Sequence, residues 1–549
     1  MSDLPSVSNP PAPSRWLLVG SAVALVVLLV VNVPPFLRTA LDCDPILFDL
    51  YARDMVRGGV LYRDMVENNT PTMIVLQLLI RDAFGHSTAA LRIVDLLVVG
   101  LGVGLLARWF RPGRPDLHLF AFTLTAVIYL TTTEWCHVQR DVWLLLPVMG
   151  GLYLRRAQLH RLTAGRTAFA WALLEGLVWG LAVWLKPYAL VMAAAVWFSG
   201  VAWTRSRGAS RNALLADFAG LFLGGALLGA AGIGAMHAFG IWVPYVDHLT
   251  NWGSEYRGAD MYGKLGPWFF RLGYLLRNAP WSLIYLLALP AALVQAVRPV
   301  WVRWTDDRPD RALLSALLVS WAFQACILQH VFDYPHIAGE MFAVVLLIDF
   351  AIGLRTDGHR RIVLIALALM TVVGHAPVFI DRVQVWGECI RTDDRPQLRD
   401  KLARYERIGW TELDRVAQFL REQGVKPGEV NVIGDTALPL WEMLDQTPPT
   451  RYYIVQNNLL SFHSRNAEIK KTLSEIPNQR YLVCDHVGLR SEPPPGYSWR
   501  DNRADWPLRA DWYGPSRWAD RIVFRSGRYV VIAMPAADVP RWMDEMIDK

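Results

Sequence analysis

The sequence predicts a polytopic α-helical membrane protein of about eleven transmembrane helices with a C-terminal extracytoplasmic α/β domain. Three observations point that way. Apolar residues make up 53% of the 549 residues, mean hydropathy is +0.24, and the apolar residues fall into uninterrupted runs near the length that crosses a bilayer core. Arginines cluster in alternate short loops between those runs. From about Arg382 the composition changes to a soluble type.

The first run, Trp16 to Val33, follows a Pro/Ser-rich head with a single Arg15. A signal peptide is the alternative, but the run lacks a small-residue cleavage site and is longer than a usual signal core, so a retained helix is expected. Further spans are expected near Leu91 to Ala107, Leu117 to Thr131, Val142 to Leu154, Ala168 to Leu185, Tyr188 to Trp203 and Leu214 to Trp242. Trp281 to Val297, Ala312 to Gln329, Ile337 to Leu354 and Ile362 to Ile380 complete the set. The loop between the first two spans, residues 34–88, is long. Its stretch Met73 to Phe84 is apolar but too short to cross, and is expected to lie along the interface.

Loop charge orients the chain. Arg108, Arg111 and Arg114, then Arg155, Arg156, Arg161 and Arg166, then Arg205, Arg207 and Arg211 fall in loops of one parity. Arg298, Arg303, Arg308 and Arg311, and Arg355, Arg360 and Arg361, continue the series and mark that face as cytoplasmic. The short loops of opposite parity, Thr132 to Asp141 and His330 to Pro335, hold only Arg140, although the longer Pro244 to Pro280 carries Arg257, Lys264, Arg271 and Arg277. The amino terminus is thus expected inside and residues 382–549 outside, in a bacterial inner (plasma) membrane. The net charge of +6 belongs to this topology, so no nucleic acid partner is expected.

Two domains follow: residues 1–381 in the membrane, including the outer loop, and residues 382–549 outside. In the latter, Thr411 to Arg421 reads as an amphipathic helix opened by Thr411 and closed near Gly424. Val430 to Ile433, Tyr452 to Val455 and Tyr481 to Cys484 read as strands, and Arg521 to Ala533, split at Ser526-Gly527, as a hairpin. Trp506, Trp512, Tyr513 and Trp518 are either core and interface anchors or sugar-stacking residues. The five cysteines form no CxxC pair, so neither a zinc site nor a disulfide framework follows.

Asp42, Asp44, Asp49, Asp54, Asp64 and Glu67 all fall in the one outer loop. A solvated loop is the plain reading of so many acids. The surrounding text, Asp44-Pro45, Tyr51-Ala52-Arg53-Asp54-Met55, Gly58-Gly59, Tyr62-Arg63-Asp64 and Asn69-Thr70-Pro71, resembles the first outer loop of the GT-C glycosyltransferases. It is most similar to the branch containing the protein O-mannosyltransferases and the lipid A aminoarabinose transferase. Pro45 stands where that family usually has an acid directly after the first, and Thr70 where it has a base before Pro71. Gln139-Arg140-Asp141, Lys186-Pro187 and His330 to His336 resemble other outer-face positions of the family.

The resemblance implies a membrane enzyme that moves a hexosyl or pentosyl group from a polyprenyl-phosphate sugar to a protein, lipid or glycan acceptor on the outer side. The family's loop acid falls on Asp44, with Glu67 nearest to its second acid, and Tyr62 falls on a family tyrosine. The chemistry agrees. An acceptor hydroxyl loses its proton as it attacks, which suits a carboxylate such as Asp44. The leaving lipid phosphate gains charge as the glycosidic bond breaks, which fixed cations such as Arg140 and Lys186 stabilise. Lys186 otherwise reads as a side chain snorkelling from a helix end, and Arg140 as a partner of Glu134 or Asp141. His330, Asp333, Tyr334 and His336 suit phosphate, sugar or a divalent ion, or else a hydrogen-bonded loop. No cofactor or metal is required on this reading, with a divalent cation left open. A transporter or flippase of a lipid-linked glycan is the alternative, for which Asp95 and Glu175 are the main interior acids, and a structural assembly subunit is a third.

Overall fold

The computed structural model describes residues 13–109, 113–166, 169–258, 281–301, 309–329, 332–354, 356–404, 408–476, 478–485 and 521–534. The chain opens with α1 (Arg15–Arg38), and the outer loop carries α2 (Cys43–Val56) and α3 (Thr72–Phe84). Then come α4 (Thr88–Ala107), α5 (Pro115–Leu130), α6 (Leu145–Thr163), α7 (Phe169–Leu185), α8 (Ala189–Arg205), α9 (Arg211–Ala238) and the short α10 (Trp242–Asn251). α11 (Trp281–Trp301), α12 (Asp310–Phe323), α13 (Tyr334–Ile352) and α14 (Asp357–Arg391) complete the helical part.

A helix occupies each expected span; most ends move by a few residues, but α6 runs on to Thr163 and α14 to Arg391, well past the expected Leu154 and Ile380. Among the described residues, six helices are long and apolar enough to cross a membrane, namely α1, α4, α9, α12 with its extension to Leu328, α13 and α14. α5, α7, α8 and Leu283–Val297 within α11 are shorter apolar helices. Several starts are fixed by side-chain caps. Ser87 Oγ accepts from Ala90 N at 3.1 Å, Ser210 Oγ from Ala213 N at 3.2 Å and Thr356 Oγ1 from His359 N at 3.2 Å.

α7 and α9 approach backbone to backbone. A Cβ on Gly224 would run into the Leu173 carbonyl and lie 2.9 Å from the Leu177 amide, and one on Gly176 would meet the Leu221 carbonyl. Small residues at such a contact let dispersion and weak polar contacts act where lipid gives no hydrophobic drive. The same helices share buried ions with α6: Arg155 pairs with Glu175 and with Asp217, each at 2.8 Å. Both carboxylates thereby share one guanidinium inside an apolar bundle, where an unpaired ion would be costly.

After α15 (Pro396–Leu402) and α16 (Trp410–Glu422), the C-terminal region, expected outside from the sequence, forms β1 (Val430–Ile433), α17 (Pro439–Leu444), α18 (Val455–Ser461), α19 (Asn466–Ser474), β2 (Tyr481–Asp485), β3 (Ile522–Ser526) and β4 (Tyr529–Ala533). Strand order is β1-β2-β4-β3, with β1 parallel to β2 and the other pairs antiparallel. The β3–β4 hairpin turns at Gly527, whose φ of 53° favours a residue without a Cβ. The first turn of α16 is capped from a distance and not by Thr411: Asp400 accepts from Trp410 N at 2.6 Å and Thr411 N at 3.0 Å.

One expected strand is absent. Tyr452 to Val455 runs through bends into α18, because its tyrosines are drawn to other partners. The Tyr453 ring packs 4.8 Å from that of Tyr51, and its hydroxyl donates to Asp54 at 2.8 Å. Trp506, Trp512, Tyr513 and Trp518 lie outside the described residues.

Candidate active site

The outer loop is a buried scaffold. Asp42 is 1%, Asp49 0% and Glu67 3% exposed, so the solvated-loop reading fails for these three. The acids divide by partner. Asp49 binds Arg81 at 2.6 Å and Arg53 at 3.1 Å, tying α2 to α3. Asp54 holds Tyr453, and Asp64 accepts from Val60 N at 2.8 Å while pairing with Arg63. Asp44 and Glu67, in contrast, face a common cavity.

Asp44 sits in the first turn of α2, where the helix dipole favours a carboxylate. Pro45 is tolerated beside it because first-turn amides have no intrahelical acceptor to lose. Burial raises the Asp44 carboxyl above its ordinary value, with Arg140 and a 3.4 Å hydrogen bond from Gln139 Nε2 opposing. Burial likewise lifts Glu67 to about 7, against Arg140 and the Asn69 N–H that donates to it at 2.7 Å. Tyr62 supports this corner. Its φ of 68° is left-handed, which costs a non-glycine residue about 1–3 kcal/mol. The Tyr62 hydroxyl donates to Asn69 O at 2.5 Å, and Arg451 donates to the Tyr62 carbonyl at 2.9 Å.

The two cations differ. Lys186, 3% exposed in the turn between α7 and α8, donates to Asp141 and to Gln329 Oε1, and burial draws its ammonium down to about 8. Arg140 forms no ion pair among the described residues, although its charge acts on Asp44, Glu67 and Lys186 together. Neither Glu134, which accepts from Arg404 N at 2.6 Å, nor Asp141 is its partner.

Three cavities adjoin here. The first, about 650 Å³, is an apolar groove of α7, α8 and α9 walled by Trp179, Trp184, Trp197 and Phe222. It shares Thr70, Pro187 and Tyr245 with the second, about 570 Å³, which is lined by Arg140, Lys186, Asn69, His248 and Gln329. The second shares Asn68, Asn69, Arg140, Tyr256, Phe332 and Tyr334 with the third, about 260 Å³, which holds Asp44 and Glu67.

Among the residues expected from sequence, Asp44, Glu67, Arg140, Lys186 and Tyr334 line these cavities. Tyr62 stands behind the wall. His336 is buried in the first turn of α13, its ring 5.8 Å from that of Tyr285, and lines none of the three. His330 lies outside the described residues. Burial raises Asp333, in the turn before α13, to about 6. Sequence reasoning missed Asn68, whose Oδ1 lies 3.0 Å from His248 Nε2, and the outer-region residues Asp435, Asn457, Asn458 and Ser461.

No family model matches the sequence, and no curated protein matches it. Solved structures do. ArnT from Cupriavidus metallidurans bound to undecaprenyl phosphate has 15% sequence identity and a TM-score of 0.50, over 94% of this chain and 98% of that one. The archaeal oligosaccharyltransferase AglB from Archaeoglobus fulgidus, in complex with an inhibitory peptide and a dolichol-phosphate, has 13% identity and a TM-score of 0.47 over 86% and 69%. ArnT aligns over nearly its whole length, helical part and outer region alike, so the fold of this chain is that of the GT-C glycosyltransferases.

Proposed function

We propose that the chain is an integral membrane glycosyltransferase that transfers a single hexosyl or pentosyl unit from a polyprenyl-phosphate donor to an acceptor hydroxyl. The reaction takes place on the extracytoplasmic face, with residues 1–381 as the catalytic membrane domain and 382–549 outside. The observation that carries this reading is the continuity of the three cavities: an apolar groove leads to two cations, and these lead to two acids. An amphiphilic donor presents its groups in that order, tail, phosphate and anomeric carbon. The undecaprenyl phosphate bound to ArnT is a lipid of this class.

In the proposed step, the acceptor oxygen attacks the anomeric carbon and gives its proton to Asp44. The bond between that carbon and the phosphate oxygen breaks on the opposite side, so one displacement inverts the centre. The departing phosphate keeps the bonding pair, and Arg140 and Lys186 meet the added charge. Arg140 has the freer role, since Lys186 already serves Asp141 and Gln329. Glu67 is assigned to positioning, through the Asn69 amide and the charge of Arg140.

The transport reading loses its main support, because both interior acids are engaged. Asp95 accepts from Tyr129 at 2.5 Å and Trp143 at 2.7 Å, and Glu175 pairs with Arg155. The test is incubation of purified protein with a panel of labelled polyprenyl-phosphate sugars, wild type beside Asp44→Asn. Transfer by the wild type and a loss of about 10²–10⁴-fold in the variant are expected. Full turnover by Asp44→Asn removes Asp44 from the mechanism, and release of no sugar from any donor removes the transferase reading.

A further inference from the structure

The third cavity has a second wall that the proposed reaction leaves without a role. Facing Asp44, Glu67 and Arg140 are Asp435, Asn457, Asn458 and Ser461 of the outer region. Their placement follows from the sheet. β1 runs parallel to β2 and ends at Ile433, after which Gly434, at φ 104°, turns the chain and presents Asp435. In α/β sheets the space beyond the carboxyl ends of parallel strands is where ligands bind. α18 crosses that edge, and Asn457 donates to Asp435 at 2.7 Å. Asn458 is 6% exposed, lines the cavity and makes no side-chain hydrogen bond among the described residues.

We infer that this wall is the acceptor subsite, and that it takes one neutral or amino-bearing sugar residue of a glycan. The inference rests on the transferase reading of the same cavity and names its acceptor class. A carboxylate beside two amides offers paired acceptors and donors to neighbouring hydroxyls. Aromatic faces complete the pattern: Trp135 lies edge-on to Tyr334 at 5.6 Å and to Phe332 at 5.2 Å, and an apolar sugar face packs on such surfaces. Charge narrows the choice further. Asp44, Glu67 and Asp435 line this cavity with Arg140, so a phosphorylated or carboxylated acceptor unit would be repelled.

The test uses the full chain in lipid nanodiscs and a panel of methyl glycosides, with binding read by saturation-transfer NMR. A glycoside of the accepted configuration binds the wild type. Asp435→Ala with Asn457→Ala weakens that binding by about tenfold or more, as the loss of charge-assisted hydrogen bonds requires. Asp435→Asn, which keeps the shape, weakens it less, and thermal unfolding of each variant separates a lost subsite from a lost fold. Glycoside binding unchanged in the double variant overturns the inference, as does binding of no glycoside while a Ser/Thr-containing peptide binds. Failure of the transferase reading looks different: glycosides still bind, but no donor is turned over.

Discussion

Glu67 sets an expected pH dependence. Its carboxyl is 3% exposed and burial lifts it to about 7, against an ordinary value of 4.5. If transfer needs the ionised form, to hold the Asn69 amide and the Arg140 charge, protonation removes activity. Below the midpoint each unit of acidity lowers the ionised fraction about tenfold, so kcat/KM climbs by about that factor per unit up to near 7, then levels and falls again as Lys186 loses its proton near 8. An unperturbed glutamate would put the same limb near 4.5. The assay is the initial rate of transfer from a labelled polyprenyl-phosphate sugar in nanodiscs, from about pH 5 to about pH 8.5 to bracket that midpoint. Glu67→Gln is the control, since its side-chain oxygen can still accept from Asn69 N at 2.7 Å but no longer titrates. Its plateau is lower and the limb near neutrality disappears. A wild-type profile flat across this range, or the same inflection in Glu67→Gln, refutes the assignment.

On the proposed mechanism, Arg140→Ala should lower kcat/KM by about 10²-fold or more with little change in melting temperature, because this cation would stabilise the departing phosphate and makes no ion pair among the described residues. Lys186→Met should lower both kcat/KM and the melting temperature, since it strands the buried Asp141, a loss of about 3–5 kcal/mol that thermal unfolding reads directly. Gly224→Ala should destabilise by about 1–3 kcal/mol or more, because the added methyl meets the Leu173 carbonyl, and unfolding in detergent measures it.

The helices were legible because a bilayer admits few solutions. Every backbone group must be paired within its own segment, so a run such as Val19 to Val30 is helical whatever surrounds it. The site was legible only in part. Sequence placed Asp44, Arg140 and Lys186 on one side, as the contiguous cavities have them, but it could not sort the acids of the outer loop. That sorting depends on partners far along the chain: Arg81 claims Asp49, and Tyr453 claims Asp54. His336 read as a loop ligand, yet α13 begins at Tyr334 and its first turn carries the ring toward Tyr285. Asp435 and Asn457 gave no signal, because their meeting is a product of sheet topology and not of spacing.

The outer loop cannot hold its acids buried by itself. Asp49 and Glu67 lose their water only because α3, α4 and the outer region close around α2 from different sides. Arg92 of α4 donates to the Thr39 and Ala40 carbonyls at 3.1 and 2.5 Å, fixing the approach to α2 from the helical part. Val66 N donates to the Arg451 carbonyl at 2.9 Å, and Arg53 and Arg57 reach Glu442 and Asp445 at 3.6 and 3.4 Å, fixing it from the C-terminal region. Desolvation is what lifts both Asp44 and Glu67, so the basicity of the site depends on this closure as much as on the acids themselves. Loosening the hold of residues 442–453 on residues 51–66 is therefore expected to rehydrate both carboxyls and return them toward ordinary values.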